Sequence, residues 1–259
     1  MIFETHAHYE DPRFAEDREA LLTKLPQEGI DLVVNVGSSL ESTKETLALT
    51  KKYPHVYGAA GVHPEETGAL DEESFQWLTQ VVEEEKIVAV GEIGLDYYWD
   101  EPAREIQKEW FERQILLARQ VKKPMIIHSR DAAQDTWDIL KKHRAEEIGG
   151  VIHCFSYSLE MAKKYIEMGF YIGVGGVVTF KNAKKLRQVV ADIPLTSILL
   201  ETDCPYMAPE PHRGKRNSSL YLPFVAEKIA EIKGISVDEV CAQTKENAMQ
   251  MYQIKGCQV

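Results

Sequence analysis

The chain has 259 residues, of which 44% are hydrophobic and 27% are charged, and its formal net charge is −11. This composition excludes a disordered or collagen-like protein, and the length suits one α/β barrel, so we expect a single domain over residues 1–259. The negative charge disfavours a long basic groove for duplex nucleic acid, so a nucleic-acid substrate would require locally bound cations.

The start of the chain contains no basic segment followed by an apolar stretch, and the longest apolar runs fall far below the roughly 18 residues of a membrane span. The four cysteines lie far apart and form no CxxC pair, which disfavours a disulfide framework and a zinc ribbon. We therefore expect a cytoplasmic protein with no membrane association and no obligate protein partner.

Short β-branched segments alternate with longer helical patterns along the chain. The helical patterns include residues 104–120, where Ile106, Trp110, Ile115 and Ala118 are assigned to one face, and residues 237–252 at the end. Eight such units in about 250 residues predict a parallel sheet closed into a (β/α)8 TIM barrel. The competing open sheet would place a Gly-rich loop after the first strand, where this chain has two histidines. The predicted strands are residues 1–5, 31–36, 56–61, 87–93, 125–128, 150–153, 170–173 and 197–201.

Ionisable side chains stand at the ends of the predicted strands, where TIM-barrel enzymes carry their reacting groups. His6 and His8 are two residues apart and so project to the same side of the first strand, where they can share a metal ion. Such a pair alone is more often two hydrogen-bonded core histidines. The metal interpretation gains support because burying several unpaired polar groups is costly. The other candidate ligands are Glu92, His128, His153 and Asp203.

Glu92 is the predicted bridge between two ions, because a carboxylate has two oxygens and the flanking glycines allow close approach of the backbone. One ion is assigned to His6, His8, Glu92 and Asp203, and a second to Glu92, His128 and His153. Two ions about 3.5–4 Å apart can activate water and clamp the oxygens of a displacement at phosphorus. The mixed nitrogen and carboxylate ligands suit Zn, Mn, Co or Ni, and also Mg where water completes the shell.

Asp203 is also the candidate general base, because a carboxylate beside a metal-bound water can take its proton; the alternative is that it acts only as a ligand. His63 and Arg130 follow strands and can pair with a phosphate oxygen, although an ordinary surface ion pair explains Arg130 equally well. The Pro-rich loop after the eighth strand forms a local basic patch suited to an anionic substrate, although a solvated loop is an equal alternative. Its basic residues are His212, Arg213, Lys215 and Arg216.

Seven blocks of the sequence, taken in order, resemble the signatures of TatD-type metal-dependent deoxyribonucleases. They cover essentially the whole chain, and their specificity lies in the ordered set. The resemblance implies a (β/α)8 barrel of the amidohydrolase-like superfamily, two divalent cations per chain and hydrolysis of phosphodiester bonds in DNA. It implies phosphate contacts near His63 and Arg213. It also implies that Glu92 is shared between the two ions and that the metal ligands are His6, His8, Glu92, His128, His153 and Asp203. The blocks are Thr5-His6-Ala7-His8, Gly61-Val62-His63-Pro64, Gly91-Glu92-Ile93-Gly94-Leu95-Asp96-Tyr97, Ile127-His128-Ser129-Arg130, His153-Cys154-Phe155-Ser156, Glu201-Thr202-Asp203-Cys204-Pro205-Tyr206 and Arg213-Gly214-Lys215-Arg216-Asn217.

The chain departs from the family pattern at Glu4, where the family usually has Asp before Thr-His. Glu4 keeps the charge and adds a methylene, so we expect it to support the ligands from behind with altered geometry. Ala7 occupies a position where the family often has Cys, and we expect this difference to have little effect on the site. The acidic balance favours single-stranded DNA or a strand end as the partner, over a long duplex.

Three functional hypotheses follow. The first is a metal-dependent phosphodiesterase, a DNase or exonuclease acting from an end. The second is a hydrolase of amide, ester or lactone bonds, as in the wider superfamily, but many of those enzymes bridge their ions with a modified lysine where this chain has Glu92. The third is a barrel whose ions only stabilise the fold, which predicts a closed coordination shell.

Overall fold

The computed structural model describes residues 1–254 of the chain. Eight parallel strands form one sheet, and each strand pairs with the next one along the chain. This arrangement confirms the predicted (β/α)8 TIM barrel. The strands are β1 (Ile2–Ala7), β2 (Ile30–Val36), β3 (Val56–Ala60), β4 (Ile87–Asp96), β5 (Met125–Arg130), β6 (Gly150–Ile152), β7 (Phe170–Val174) and β8 (Ile198–Leu200).

Helices follow the strands and cover the outside of the barrel. Several begin with a side-chain cap, as at Ser39, Asp71 and Ser236, where the side chain accepts a hydrogen bond from the backbone in the first turn. Within residues 1–254, no helix combines the length and apolar character needed to span a bilayer. The helices are α1 (Arg18–Lys24), α2 (Leu40–Lys52), α3 (Glu72–Val81), α4 (Arg104–Val121), α5 (Ala133–Lys142), α6 (Leu159–Glu167), α7 (Lys184–Asp192), α8 (Leu222–Lys233) and α9 (Val237–Met251).

Two apolar layers hold these elements together. The larger layer joins the outer faces of the strands to the helices, and the smaller one collects the opposite faces, such as Leu32, Val34 and Val36 of β2. The smaller layer also contains Met251 and Tyr252 at the end of α9, and the hydroxyl of Tyr252 donates to the carbonyl of Thr5 over 2.8 Å. The end of α9 therefore closes the barrel at the face opposite the carboxyl ends of the strands.

The barrel closes between β1 and the segment that follows β8. The backbone N–H of Asp203 donates to the carbonyl of His6 over 2.9 Å, and that of His8 donates to the carbonyl of Cys204 over 2.8 Å. These bonds place the two histidines beside Asp203, although the residues are about two hundred positions apart in the sequence.

An extra residue in β1 determines where its histidines point. Between Glu4 and Ala7 the strand advances three residues while β2 advances two, from Val33 to Asn35. Such a bulge changes the side to which the following residues project. A similar shift lies between Val90 and Ile93 of β4, on either side of Glu92. Both irregularities therefore occur where candidate ligands leave the sheet.

The predicted elements differ from the observed ones mainly at their ends. β4 extends three residues beyond the predicted segment, to Asp96. The assignment of Ile106 to the same face of α4 as Trp110, Ile115 and Ala118 was wrong, since Ile106 is 39% exposed while the other three side chains are buried. The reason is geometric, because a turn of about 100° per residue places Ile106 opposite Ile115 on the helix.

Candidate metal centre

Four ligand atoms meet at the carboxyl end of the barrel and form the first ligand set. His6 Nε2 lies 3.1 Å from His8 Nε2, and both nitrogens lie near Asp203 Oδ1, at 3.6 and 3.3 Å. Glu92 Oε2 completes the set at 3.5 Å from His6 Nε2 and 3.7 Å from His8 Nε2. The structure thus brings together the four residues assigned to one ion.

The other oxygen of Glu92 belongs to a second ligand set. Glu92 Oε1 lies 2.9 Å from His128 Nδ1 and 2.7 Å from His153 Nε2, and these two nitrogens are 3.4 Å apart. Glu92 therefore stands between two groups of imidazoles and directs one oxygen to each. This is the arrangement required of a carboxylate that bridges two cations.

The donor atoms suit divalent cations. Ligands at the usual zinc distances in a tetrahedral shell lie about 3.3 Å apart, and the atoms of the first ligand set are separated by 3.1–3.7 Å. The Nδ1 of His8 donates to the carbonyl of Val36 over 2.8 Å, which leaves the lone pair on Nε2 directed into the set. This backbone contact is typical of a metal-binding histidine.

The electrostatics of the centre also favour cations. Burial and the neighbouring His153 lower the pKa of His6 to about 4, so its imidazole is neutral and able to bind a metal. Burial opposes charge on His128, but Asp96 and Glu92 outweigh it and raise the pKa of His128 to about 9. Burial also acts to raise the pKa of Glu92, yet His153 and His128 hold it well below its usual value. Glu92 therefore remains ionised, and the imidazole of His128 must release its proton when a cation binds.

His63 and Asp96 flank the second ligand set. The Nδ1 of His63 accepts a hydrogen bond from the N–H of Glu65 over 3.3 Å, so the ring proton is on Nε2, which lies 3.9 Å from Glu92 Oε1. Asp96 Oδ2 lies 2.9 Å from His128 Nε2. Asp96 was part of a sequence block but was not identified as a site residue; its position at the end of β4 is the signal that could have indicated it.

Glu201 is a second buried carboxylate that was not among the predicted site residues. It is buried, its Oε1 accepts from the N–H of Cys154 over 2.5 Å, and its Oε2 has no hydrogen-bond partner within the described residues. Burial raises the pKa of Glu201 to about 8, against the opposing charge of His153. Ligand atoms of Glu201, His6 and His153 lie within 4.8 Å of one another, which makes Glu201 part of the same buried polar cluster.

Glu4 accepts hydrogen bonds from residues of the metal centre and its surroundings, although it is not one of the candidate ligands. Its Oε1 accepts from the N–H groups of Thr202 and His6, at 2.9 and 3.2 Å, and its Oε2 accepts from the hydroxyls of Thr202 and Ser219, at 2.6 and 2.8 Å. Burial raises the pKa of Glu4 to about 7, although these donors oppose the shift. Glu4 therefore links β1 to the segment that carries Asp203.

The centre opens into a cleft of about 1300 Å³. Arg130 lines it, with its guanidinium 3.8 Å from the centroid of the Tyr98 ring. Arg213 does not line the cleft and lies over Phe180, which does, at 4.3 Å. The predicted basic patch is smaller than its composition indicated, since Arg216 forms an ion pair with Asp17.

A family model described as TatD related DNase matches residues 3–253 of the chain. This chain belongs to the TatD family of metal-dependent hydrolases. Among its TatD-family relatives is YabD of Bacillus subtilis, named an uncharacterized metal-dependent hydrolase, which is 42% identical over 98% of this chain and 100% of its own length.

Solved structures of TatD-family proteins have the same architecture. The crystal structure of YjjV, a TatD homologue from Escherichia coli, superposes with a TM-score of 0.92 at 34% identity and covers 98% of both chains. A TatD-family hydrolase from Entamoeba histolytica superposes with a TM-score of 0.88 over 97% of each chain, and its 24% identity supports the fold alone.

Proposed function

We propose that this TatD-family hydrolase cleaves phosphodiester bonds in single-stranded DNA and acts from a strand end, as an exonuclease, with two divalent cations per chain. The observation that carries the proposal is Glu92, whose two oxygens each face a separate group of imidazole nitrogens. The family description, TatD related DNase, supports the DNA substrate. The donor atoms are compatible with Mg, Mn, Zn, Co or Ni.

Divalent cations bound to these two sets supply an activated water and an electrophilic clamp for phosphate oxygens. Asp203 is suited to accept the proton from the attacking water, because its side chain is 15% exposed to the cleft whereas that of Glu92 is 5% exposed. Its backbone is fixed in the left-handed region, with φ of 56°, and its N–H donates to His6. Asp203 and Glu92 are therefore the proposed catalytic carboxylates.

His63 and Arg130 are the proposed phosphate contacts. The Nε2–H of His63 projects toward Glu92 at the edge of the second ligand set, where it can donate to a phosphate oxygen. Arg130 has no carboxylate within ion-pair distance among the described residues, so its guanidinium remains able to bind an anion. Arg213 is assigned a contact farther along the substrate, because it lies outside the lining of the cleft.

The proposal is tested with single-stranded oligonucleotides labelled at either end and incubated with the purified protein and each candidate metal. We expect stepwise shortening from one end, loss of activity in EDTA and recovery on metal addition. Asp203→Asn should lower kcat by about 100-fold or more, because it removes the proposed proton acceptor and weakens a candidate ligand. Asp192→Asn, at the exposed end of α7, is the matched control and should leave kcat unchanged.

Activity that survives both EDTA and Asp203→Asn would contradict the two-metal proposal. A panel of lactones, esters and cyclic amides tested under the same conditions addresses the second hypothesis. If any of these compounds is turned over faster than the oligonucleotide, the phosphodiesterase proposal is replaced by the hypothesis of an amide, ester or lactone hydrolase.

A further inference from the structure

Two exposed aromatic side chains stand beside the metal centre, in the turn that follows β4. Tyr98 is 56% exposed and Trp99 is 59% exposed, and their rings meet edge to face at 5.0 Å. Trp99 lines the same cleft as His63, Glu92 and His128. Large aromatic surfaces left in water at the edge of a cleft are typical of a binding surface.

The turn is anchored to the centre by Asp96. Its Oδ1 accepts hydrogen bonds from the N–H groups of Tyr98 and Trp99, at 2.9 and 3.1 Å, while its Oδ2 faces His128 Nε2 at 2.9 Å. One carboxylate thus holds the aromatic turn with one oxygen and contacts a candidate ligand with the other. Because the turn is fixed before a ligand binds, little ordering is required when one stacks on it.

A cation completes this side of the cleft. The guanidinium of Arg130 lies over the ring of Tyr98 at 3.8 Å and has no carboxylate within ion-pair distance in residues 1–254. By contrast, Arg13, Arg104 and Arg113 each form an ion pair with a carboxylate. An aromatic face beside an unpaired arginine offers a stacking surface for a base and a donor for the adjoining phosphate.

Four exposed glutamates, Glu41, Glu45, Glu65 and Glu66, line the part of the cleft formed by the residues after β2 and β3. Because these carboxylates repel a polyanion, a phosphate near the metal centre requires a cation such as Arg130.

We propose that Trp99 and the Tyr98–Arg130 pair form a subsite that stacks a base of single-stranded nucleic acid and binds its phosphate beside the metal centre. This inference rests on the proposed function and adds to it the residues that select a base-bearing strand. Trp99 stacks the base, Arg130 binds the phosphate, and Asp96 positions the turn.

The test compares the metal-loaded full chain on two single-stranded oligonucleotides of equal length, one carrying thymine at every position and one carrying base-free tetrahydrofuran sugars. The wild type should have the lower KM for the thymine strand. Trp99→Ala should raise that KM about 10- to 100-fold, which corresponds to the loss of one stacked base, and leave kcat unchanged. It should leave the KM for the base-free strand unchanged, because that strand keeps its phosphates.

Two further variants separate stacking from a general defect. Trp99→Phe keeps an aromatic face and should retain most of the preference for the thymine strand. Leu116→Ala removes a 47%-exposed apolar side chain from α4, outside the lining of the cleft, and should change neither KM. Thermal unfolding of each variant verifies that the fold is kept.

The outcomes distinguish the two proposals. If the wild type cleaves neither strand with any metal, the proposed function fails, and the subsite fails with it. If the wild type cleaves the thymine strand but Trp99→Ala leaves its KM unchanged, or raises the KM for both strands equally, only the subsite is overturned.

Discussion

Glu4 is a buried carboxylate that contacts the residues around the candidate ligands without being one of those ligands. Its oxygens accept hydrogen bonds from Thr202, Ser219 and the backbone of His6, and Thr202 directly precedes Asp203. Removing the carboxylate would leave buried donors unsatisfied, which costs free energy for each one. Glu4 therefore acts as a positioning residue for Asp203.

We expect Glu4→Ala to lower the free energy of unfolding by about 1–3 kcal/mol, because buried donors of Thr202 and Ser219 lose their acceptor. It should also lower the metal content measured by elemental analysis of the purified protein. Glu4→Asp keeps the charge and should recover part of both losses. Equal stability and equal metal content in Glu4→Ala and the wild type would show that Glu4 has no positioning role.

At the scale of the element, α4 fixes two strand ends that carry site residues. Gln114 accepts from the N–H of Val62 over 2.8 Å and donates to its carbonyl over 3.1 Å, directly before His63. Gln107 makes the equivalent pair of contacts with the backbone of Asp96, at 2.9 and 3.1 Å. Both glutamines are buried, so these contacts are shielded from water.

Gln114→Met keeps the approximate size of the side chain but leaves the N–H and carbonyl of Val62 without partners. We expect a loss of about 1–3 kcal/mol in the free energy of unfolding, measured by chemical denaturation. Gln120→Met is the matched control, because Gln120 is exposed on the same helix, and it should change stability by less than about 0.5 kcal/mol. Equal effects of the two substitutions would mean that the Val62 contacts do not stabilise the protein.

The whole molecule has one apolar layer outside the sheet and another inside it, and both depend on the same strands. For this reason we propose that the chain unfolds as one domain. The ligand sets join β1, β4, β5, β6 and the segment after β8, so cations bound there would link distant parts of the barrel. Ions that bind only the folded chain stabilise it by mass action.

Removal of metal should therefore lower the Tm. For two cations, each held at about 100 times its Kd, the expected loss is about 2.7 kcal/mol per site and about 5.4 kcal/mol in all, or roughly 11–22 °C for a protein of this size. The measurement is calorimetry in EDTA and after addition of each metal, with one cooperative transition expected in both conditions. A Tm that does not respond to EDTA or to any metal would contradict cation binding at these sets.

Much of the fold could be predicted because alternating strands and helices and the length of the chain together favour a TIM barrel. The candidate ligands could be predicted because polar residues ended apolar strands. The contacts of Glu4 could not, since Thr202 and Ser219 are about two hundred residues away and no local pattern indicates that pairing. The exposure of Trp99 at the cleft could not be predicted either, because the exposure of an aromatic ring depends on which surfaces the rest of the chain covers.

The side of β1 to which His6 and His8 project could not be predicted from the sequence either. Phe3 belongs to the apolar layer inside the barrel, so strict alternation would turn His6 and His8 toward the surrounding helices. The extra residue between Glu4 and Ala7 reverses this, and it leaves no mark in residue composition.

The bulge in β1 makes the first ligand set depend on how the strand pairs as well as on the identity of its residues. If the same residues paired with β2 without the bulge, regular alternation would turn both imidazoles away from Asp203. Every ligand would still be present in such a chain, and the sheet could still pair, yet the four ligand atoms would no longer meet. A change in the pairing register of this strand would therefore be as damaging to the centre as the loss of a ligand, and sequence identity alone would not reveal it.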